Sequence, residues 1–332
     1  MILIITNKED AHPTPVIERL SARGVPLFRL NTEALLTDYE FGWFADEYRS
    51  DFWIRCKLNC LEIREADVTA VWDRRPEAPC ELPVTSTPQI DKHNRDEALG
   101  FLVFLRYYLK DIPSIGSIAN DRIAASKMLQ YRIAHEVGFR TPGTCFSNCK
   151  SKLLKLAATC ESLILKPIDS SNIWDEANDR EYVFYAQKLA SSALADIPEE
   201  AFSQTVSFVQ SYVEKAFELR ITVVGDRVFA CKIDSQAQTD DTGRVDWRQG
   251  YEHGLKHSVY DLPRPVAARC RRFLKRMGLN FGCFDFVVTP EKKYVFLECN
   301  PNGQWLWVEL ETGMKISEAI ADYFSDSNEK VR

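Results

Sequence analysis

No apolar run in this 332-residue sequence is long enough to cross a bilayer: the longest, Phe101 to Leu109, is broken by Arg106 and falls well short of the roughly 20 residues a spanning helix needs. The opening MILIIT is too short for the core of a signal peptide and runs into Asn7, Lys8, Glu9 and Asp10, so it reads as a first buried strand and export is not expected. Nor is there an excess of positive charge. The 42 basic and 48 acidic residues leave a net charge of -6, which gives no general attraction for nucleic acid or an anionic membrane surface and leaves room only for a local basic groove. Zinc-type spacing is missing too: the ten cysteines are scattered, and the pairs Cys56/Cys60 and Cys145/Cys149 lack the further Cys or His of a metal site. Reduced, structural thiols in a cytoplasmic protein are the expectation. Internal repeats, low-complexity tracts and a Walker A glycine run are also absent.

What is present suits two or three packed units, with 45% hydrophobic and 27% charged residues. ILIIT, a helical pattern around Val16, Ile17 and Leu20, the stop at Gly24 and the strand PLFRL make a βαβ opening. Residues 40 to 72 alternate as strands. Ala98, Leu102, Leu105 and Leu109 then recur at helical spacing before Pro113 and Gly116 break the pattern. Asn120 is expected to cap a helix running to Gly138, followed by a turn at Thr141-Pro142-Gly143. The strand Ser162 to Lys166 leads into a polar loop, Asp169 to Arg180. Strands follow at 208–213, 219–224 and 227–233, the last two joined by Gly225-Asp226, then a helix over 266–277 and strands at 285–288 and 294–298.

Asp285 in FGCFDFVV and Glu298 in VFLEC lie on neighbouring strands, and Asn300, two residues beyond Glu298, points to the same side. Two carboxylates and an amide oxygen are hard ligands that suit magnesium sharing its octahedron with water and phosphates. Any one of them alone would be an ordinary solvated strand end.

The apolar strand followed by Glu298, Cys299, Asn300, Pro301, Asn302 and Gly303 resembles the ATP-grasp superfamily, in which an Asp and a Glu-x-Asn on adjacent strands hold the magnesium ions on ATP. The resemblance implies an α/β (α+β) fold: an N-terminal pre-ATP-grasp domain (1–118), a central subdomain (119–207) and a C-terminal subdomain (208–327), the last two clasping ATP. It makes Asp285, Glu298 and Asn300 the metal ligands. ASKMLQYRIAHEVGFRTPGT and LILKP match the segments bearing the two phosphate lysines, here Lys127 and Lys166. FVQSYVEK resembles the adenine hinge, with backbone groups of Ser211, Tyr212 and Val213 reading the base and Gln210 supporting the strand. Glu218 matches the ribose-binding acid. Arg220 faces the phosphates or the acyl group, and Lys232 either joins it or makes a cross-strand ion pair. The loop 169–180 departs from the family, with serines and Asn172 where many members carry glycines.

VWDRRP, KIDSQ with VDWR, and NPNGQWLWVELETG resemble one branch, the ribosomal-peptide maturases of the graspetide and microviridin type, so that the likeness spans nearly the whole chain. It implies a precursor peptide with leader and core as partner, a homodimer, and ATP with magnesium as cofactors. Linkage of Asp or Glu side chains to Ser, Thr or Lys is the implied reaction. Arg74, Arg75, Arg220 and Arg248 are candidates for holding acidic side chains, since a guanidinium engages a carboxylate bidentately. His253, His257 and Asn302 are substrate-side candidates, and His257, with Asp246 and Glu252 as rivals, is a candidate base. Two other readings stay open: a glutathione-synthetase-like or glutamate-adding ligase acting on a small molecule or peptide terminus, and a noncatalytic nucleotide-binding scaffold.

Overall fold

The computed structural model describes residues 1–83, 87–116, 118–169, 172–175, 177–237, 241–248 and 254–330. The N-terminal unit opens as the sequence indicates, with β1 (Ile2–Thr6), α1 (Pro13–Ala22) and β2 (Leu27–Asn31). A short turn α2 (Leu35–Asp38) leads into the antiparallel strands β3 (Tyr39–Ala45), β4 (Ser50–Cys56) and β5 (Glu62–Arg64). β6 (Ala70–Asp73), α3 (Pro88–Tyr108) and β7 (Ser114–Ile115) complete a parallel sheet of order β2-β1-β6-β7. Thr87 caps α3 by accepting a hydrogen bond from the Ile90 N–H, with Pro88 at the first helical position. Arg106, which breaks the apolar run of α3, makes two hydrogen bonds of 2.8 and 2.9 Å to the buried Asp73 carboxylate.

Next come α4 (Ile118–Ala124) and α5 (Lys127–Glu136) in place of the one helix expected from Asn120 to Gly138. Asn120 lies inside α4 and donates to the Gly278 carbonyl instead of capping. The break at Ala125 and Ser126 frees Lys127 to start a new helix with a different aim. The central sheet, order β12-β9-β13-β8, is built from β8 (Thr144–Ser147), α6 (Lys150–Ala157), β9 (Ser162–Lys166), β12 (Gln187–Ala190), α7 (Glu199–Ser203) and β13 (Ser207–Ser211). The segment expected as a polar loop is largely a hairpin, β10 (Asn172–Asp175) paired with β11 (Arg180–Val183). The exposed Ile173, Trp174 and Tyr182 supply the β-formers that the serines around them obscured.

The C-terminal sheet, β16-β15-β14-β17-β18, contains β14 (Phe217–Val224), β15 (Arg227–Ile233), β16 (His257–Val259), β17 (Phe281–Val288) and β18 (Tyr294–Asn300). The segment α8 (Asp241–Val245) lies between β15 and β16, and α9 (Arg264–Arg276) packs on one face of the sheet, burying Val266, Cys270, Phe273 and Leu274. Ala124, Ile133, Ala134, Val137 and Phe139 join that same core, so α5 packs with the C-terminal sheet although it precedes the central one. Finally α10 (Leu306–Thr312) and α11 (Ile316–Lys330) close the chain. Ile320 and Phe324 share a core with Ile2, Ile4 and Trp72, welding the N-terminal unit to the C-terminal one.

Candidate active site

Register on β14, β17 and β18 decides which side chains face the cleft between the central and C-terminal sheets. Arg220 pairs across to Asp285 and Asp285 to Glu298, whereas Leu219 pairs to Phe286 and Phe286 to Phe296. The β17–β18 register shifts between Asp285 and Phe286, which makes Leu297 an extra, bulged residue. Plain alternation would put Glu298 on the apolar Phe296 face. The bulge brings Glu298 and Asn300 round to the side of Asp285 and leaves Phe296 and Cys299 in the core.

The resulting cavity, about 980 Å³, is lined by Lys127, Lys166, Glu218, Arg220, Arg248, Asp285, Glu298 and Asn300 among others, a volume within the usual range for small-ligand sites. Arg220 Nη1 donates to both Asp285 oxygens at 2.9 and 2.8 Å and Nη2 to the Gln304 carbonyl at 3.0 Å. Lys127 Nζ lies 2.8 Å from Glu298 Oε2, and Arg248 Nη2 lies 3.1 Å from Oε1. Asn300 Nδ2 donates to Asp285 Oδ2 at 3.2 Å. Burial alone would raise the Glu298 carboxyl, but Lys127 and Arg248 reverse this and hold it far below the ordinary carboxylate range. Burial lowers the Lys166 ammonium, with Glu298 pulling the other way.

Of the other residues singled out in the sequence, several reach the cleft. Gln210 is buried and donates to Tyr131 Oη and Thr144 Oγ1, so it braces its strand. Ser211, Tyr212 and Val213 line the cavity, and the Ser211 and Tyr212 N–H groups are taken by the Gly143 and Ser162 carbonyls. Glu218 lines the cavity and is paired with Lys215 at 2.7 Å; burial pushes its carboxyl up against that pairing. Arg75 lines the cavity and is exposed.

Others do not reach it. Lys232 pairs in register with Leu219, which faces the core, so it sits on the face opposite Arg220; its ammonium lies over the Phe217 ring and near Asp234. Arg74 is 1% exposed, 3.2 Å from Asp10 and bonded to the Asn302 carbonyl, so it is no receptor for a substrate carboxylate. Arg75, with φ of 48°, turns the chain so that adjacent arginines part company: Arg74 inward, Arg75 outward. Asn302 is tied to Asp121 through its side chain and to both arginines through its carbonyl. His257 is not among the cavity-lining residues; its ring lies 5.0 Å from that of Trp307, tilted by 59°, and burial lowers its imidazole. His253 and Glu252 lie outside the described residues. Sequence reasoning passed over Lys215, whose Nζ bonds both Glu218 and the Val245 carbonyl; its place three residues before Glu218 was the available signal.

The MvdD pre-ATP-grasp domain model matches residues 1–122. A comparison with curated protein sequences finds no match. Among solved structures, a RiPP-associated ATP-grasp ligase of Chryseobacterium gregarium, in complex with ADP and a leader and core peptide, superposes with a TM-score of 0.87 at 25% identity, covering 98% of this chain and 96% of that one. The macrocyclase MdnC of Microcystis aeruginosa, bound with precursor peptide MdnA, gives 0.82 at 27% identity over 98% and 100%. The chain is an ATP-grasp ligase. MdnB, a macrocyclase of the same organism, shares the fold at 24% identity with a TM-score of 0.76 over 97% and 98%.

The residues of this ligase fit ATP and magnesium on the chemistry of their donors. Asp285 and Glu298 carry hard oxygens within one small area, the Asn300 amide lies against both through Nδ2 and brings its oxygen in once the amide turns over, and Lys127 and Lys166 line the same cavity. Among the described residues no group of three or more His, Cys, Asp or Glu is placed to hold a metal ion. Asp285, Glu298 and Asn300 would hold the ion, which when bound supplies charge neutralisation of the triphosphate. No helix among the described residues is long and apolar enough to cross a membrane.

Proposed function

We propose that this ligase activates Asp or Glu side chains of a ribosomal precursor peptide with ATP and joins them to Ser or Thr hydroxyls or Lys amines of the same peptide, closing ester or amide macrocycles. The observation that carries the reading is the ring of cations, Lys127, Lys166, Arg220 and Arg248, around the Asp285–Glu298–Asn300 group. A carboxylate must approach an anionic triphosphate, and fixed cations offset that repulsion where mainly positioning and field stabilise the transition state. Peptide as the substrate class is supported by the likeness to ligases solved with a leader, core or precursor peptide.

Phosphoryl transfer to the side-chain carboxylate leaves ADP; attack by the hydroxyl or amine then expels phosphate, so each bond consumes one ATP and removes one water from the peptide. Arg248, half exposed at the cleft, exchanges Glu298 for the incoming carboxylate, while the buried Arg220 stays on Asp285 and aims it. Asp246 lines the cavity and is better placed than His257 to take the proton of the attacking group. Fragmentation mass spectrometry of the cognate precursor after reaction tests this. Side-chain links are expected; an amino acid added to a peptide terminus would contradict the macrocyclase reading and leave the ligase fold untouched. A second copy of the chain as partner rests on family resemblance, and sedimentation as a monomer would end that expectation.

A further inference from the structure

β18 is the outer strand of its sheet, so beyond Val295 and Phe296, which meet Arg140, its outer edge has no strand partner among the described residues. Helix α5 covers that edge with three side chains at i, i+3 and i+4 spacing, hence on one face. Tyr131 Oη donates to the Leu297 carbonyl at 2.6 Å, Lys127 Nζ reaches the Glu298 carboxylate at 2.8 Å, and Gln130 engages Cys299 twice. Its Nε2 donates to the Cys299 carbonyl at 2.8 Å, and the Cys299 N–H donates back to Oε1 at 2.8 Å. The Gln130 amide therefore pairs with both main-chain groups of one residue, as a neighbouring strand would. A third bond, from Nε2 to the Ala124 carbonyl at 2.7 Å, ties the same amide to the end of α4.

Cys299 is the residue between Glu298 and Asn300, and the bulge at Leu297 lies immediately before them, where the ladder to β17 is interrupted. The ladder resumes at Glu298, Cys299 and Asn300 only after that interruption, and a small rotation about Cys299 swings both metal-side side chains together. Covering the edge with an apolar side chain would leave a buried N–H and C=O unpaired; an amide satisfies both and also fixes the two peptide planes that flank Cys299. We infer that Gln130 is a positioning residue for the metal site: its amide holds the backbone of Cys299 on both sides and so sets the aim of Glu298 and Asn300. This rests on the reading of Asp285, Glu298 and Asn300 as magnesium ligands.

The test is calorimetric titration of ADP with and without magnesium on the full chain and on Gln130→Leu and Gln130→Asn. The second keeps an amide but is one methylene too short, and it reads the same quantity if the first does not fold. In the unmodified chain magnesium strengthens ADP binding. In the variants that gain falls at least fivefold, the magnesium concentration giving half-maximal ADP release rises by a similar factor, and the KM for the precursor stays within twofold. A variant with a cooperative melting transition and an undiminished magnesium gain overturns the inference while the metal-site reading stands. No magnesium gain in the unmodified chain sinks the metal-site reading, and this inference with it.

Discussion

The five-stranded C-terminal sheet has two faces made by the same strands, and they obey different rules. On one, Leu219, Ile221, Phe284, Phe286 and Phe296 pack against α9 and α5 as a nearly dry apolar layer, with Lys232 on the same face beside Phe217. On the other, Glu218, Arg220, Asp285, Glu298 and Asn300 crowd ionisable and amide groups around a cavity. The first face is held by buried area and close packing; the second depends on register, because one bulged residue separates a cleft-facing Glu298 from one driven into the core. Stability and chemistry are thus divided between the two faces of the same strands, by plain alternation on β14 and β17 and by the bulge on β18.

The largest expected effect breaks the chemical face alone. Glu298→Gln lowers turnover on the order of 100-fold or more, because one anionic donor to the ion is lost, while the melting temperature changes little. Steady-state ADP release beside a thermal melt checks it. Asp285→Asn is expected to lose activity and stability together: Arg220 is left buried without its carboxylate, at a cost of about 3–5 kcal/mol. The core face gives the converse. Phe273→Ala, on α9, is expected to cost about 3–5 kcal/mol in urea unfolding and to leave the kcat of the folded fraction within a few-fold.

Two lysines sharpen the comparison further. Lys166→Ala is expected to weaken ADP binding about tenfold, equivalent to about 1.4 kcal/mol, while Lys232→Ala, on the opposite face, changes it less than about twofold. Equal losses by calorimetry would mean that the register does not separate the two faces as described.

The smallest of the stability effects lies away from the sheet, where Asp10 meets His12 and Arg74. Burial would raise its carboxyl, but the His12 hydrogen bond and the Arg74 guanidinium bring it down to about 2. A lowered folded-state value contributes stability above the ordinary carboxyl range near 4, and that contribution disappears as pH falls through about 2. Asp10→Asn should therefore cost about 2 kcal/mol at neutral pH, a difference that shrinks between about pH 4 and 2 in denaturant unfolding.

Much of this was legible because the relevant signals are local. Alternation placed the strands, and Glu298 with Asn300 two residues on announces a shared side. What was hidden depends on partners far along the chain. Arg74 and Arg75 look equivalent in VWDRRP until Asp10 and the Asn302 carbonyl, 228 residues from Arg74, take the first of them inside. Lys232 looks like a cleft lysine until cross-strand register assigns it to the face of Leu219. The break between α4 and α5 has no proline to mark it, and the hairpin of β10 and β11 is masked by the serines beside it. The bulge at Leu297 leaves no trace in VFLECN, yet it decides where the chemistry points.

The central claim, that this cleft couples ATP to side-chain bond formation, is tested most directly by counting two products of one reaction: ADP released and water lost from the cognate precursor, measured by chromatography and intact mass with magnesium present. One ADP for each water lost is expected, with both slowed on the order of 100-fold or more in Glu298→Gln. ADP released without dehydration of the precursor, or dehydration at an undiminished rate in Glu298→Gln, would contradict it.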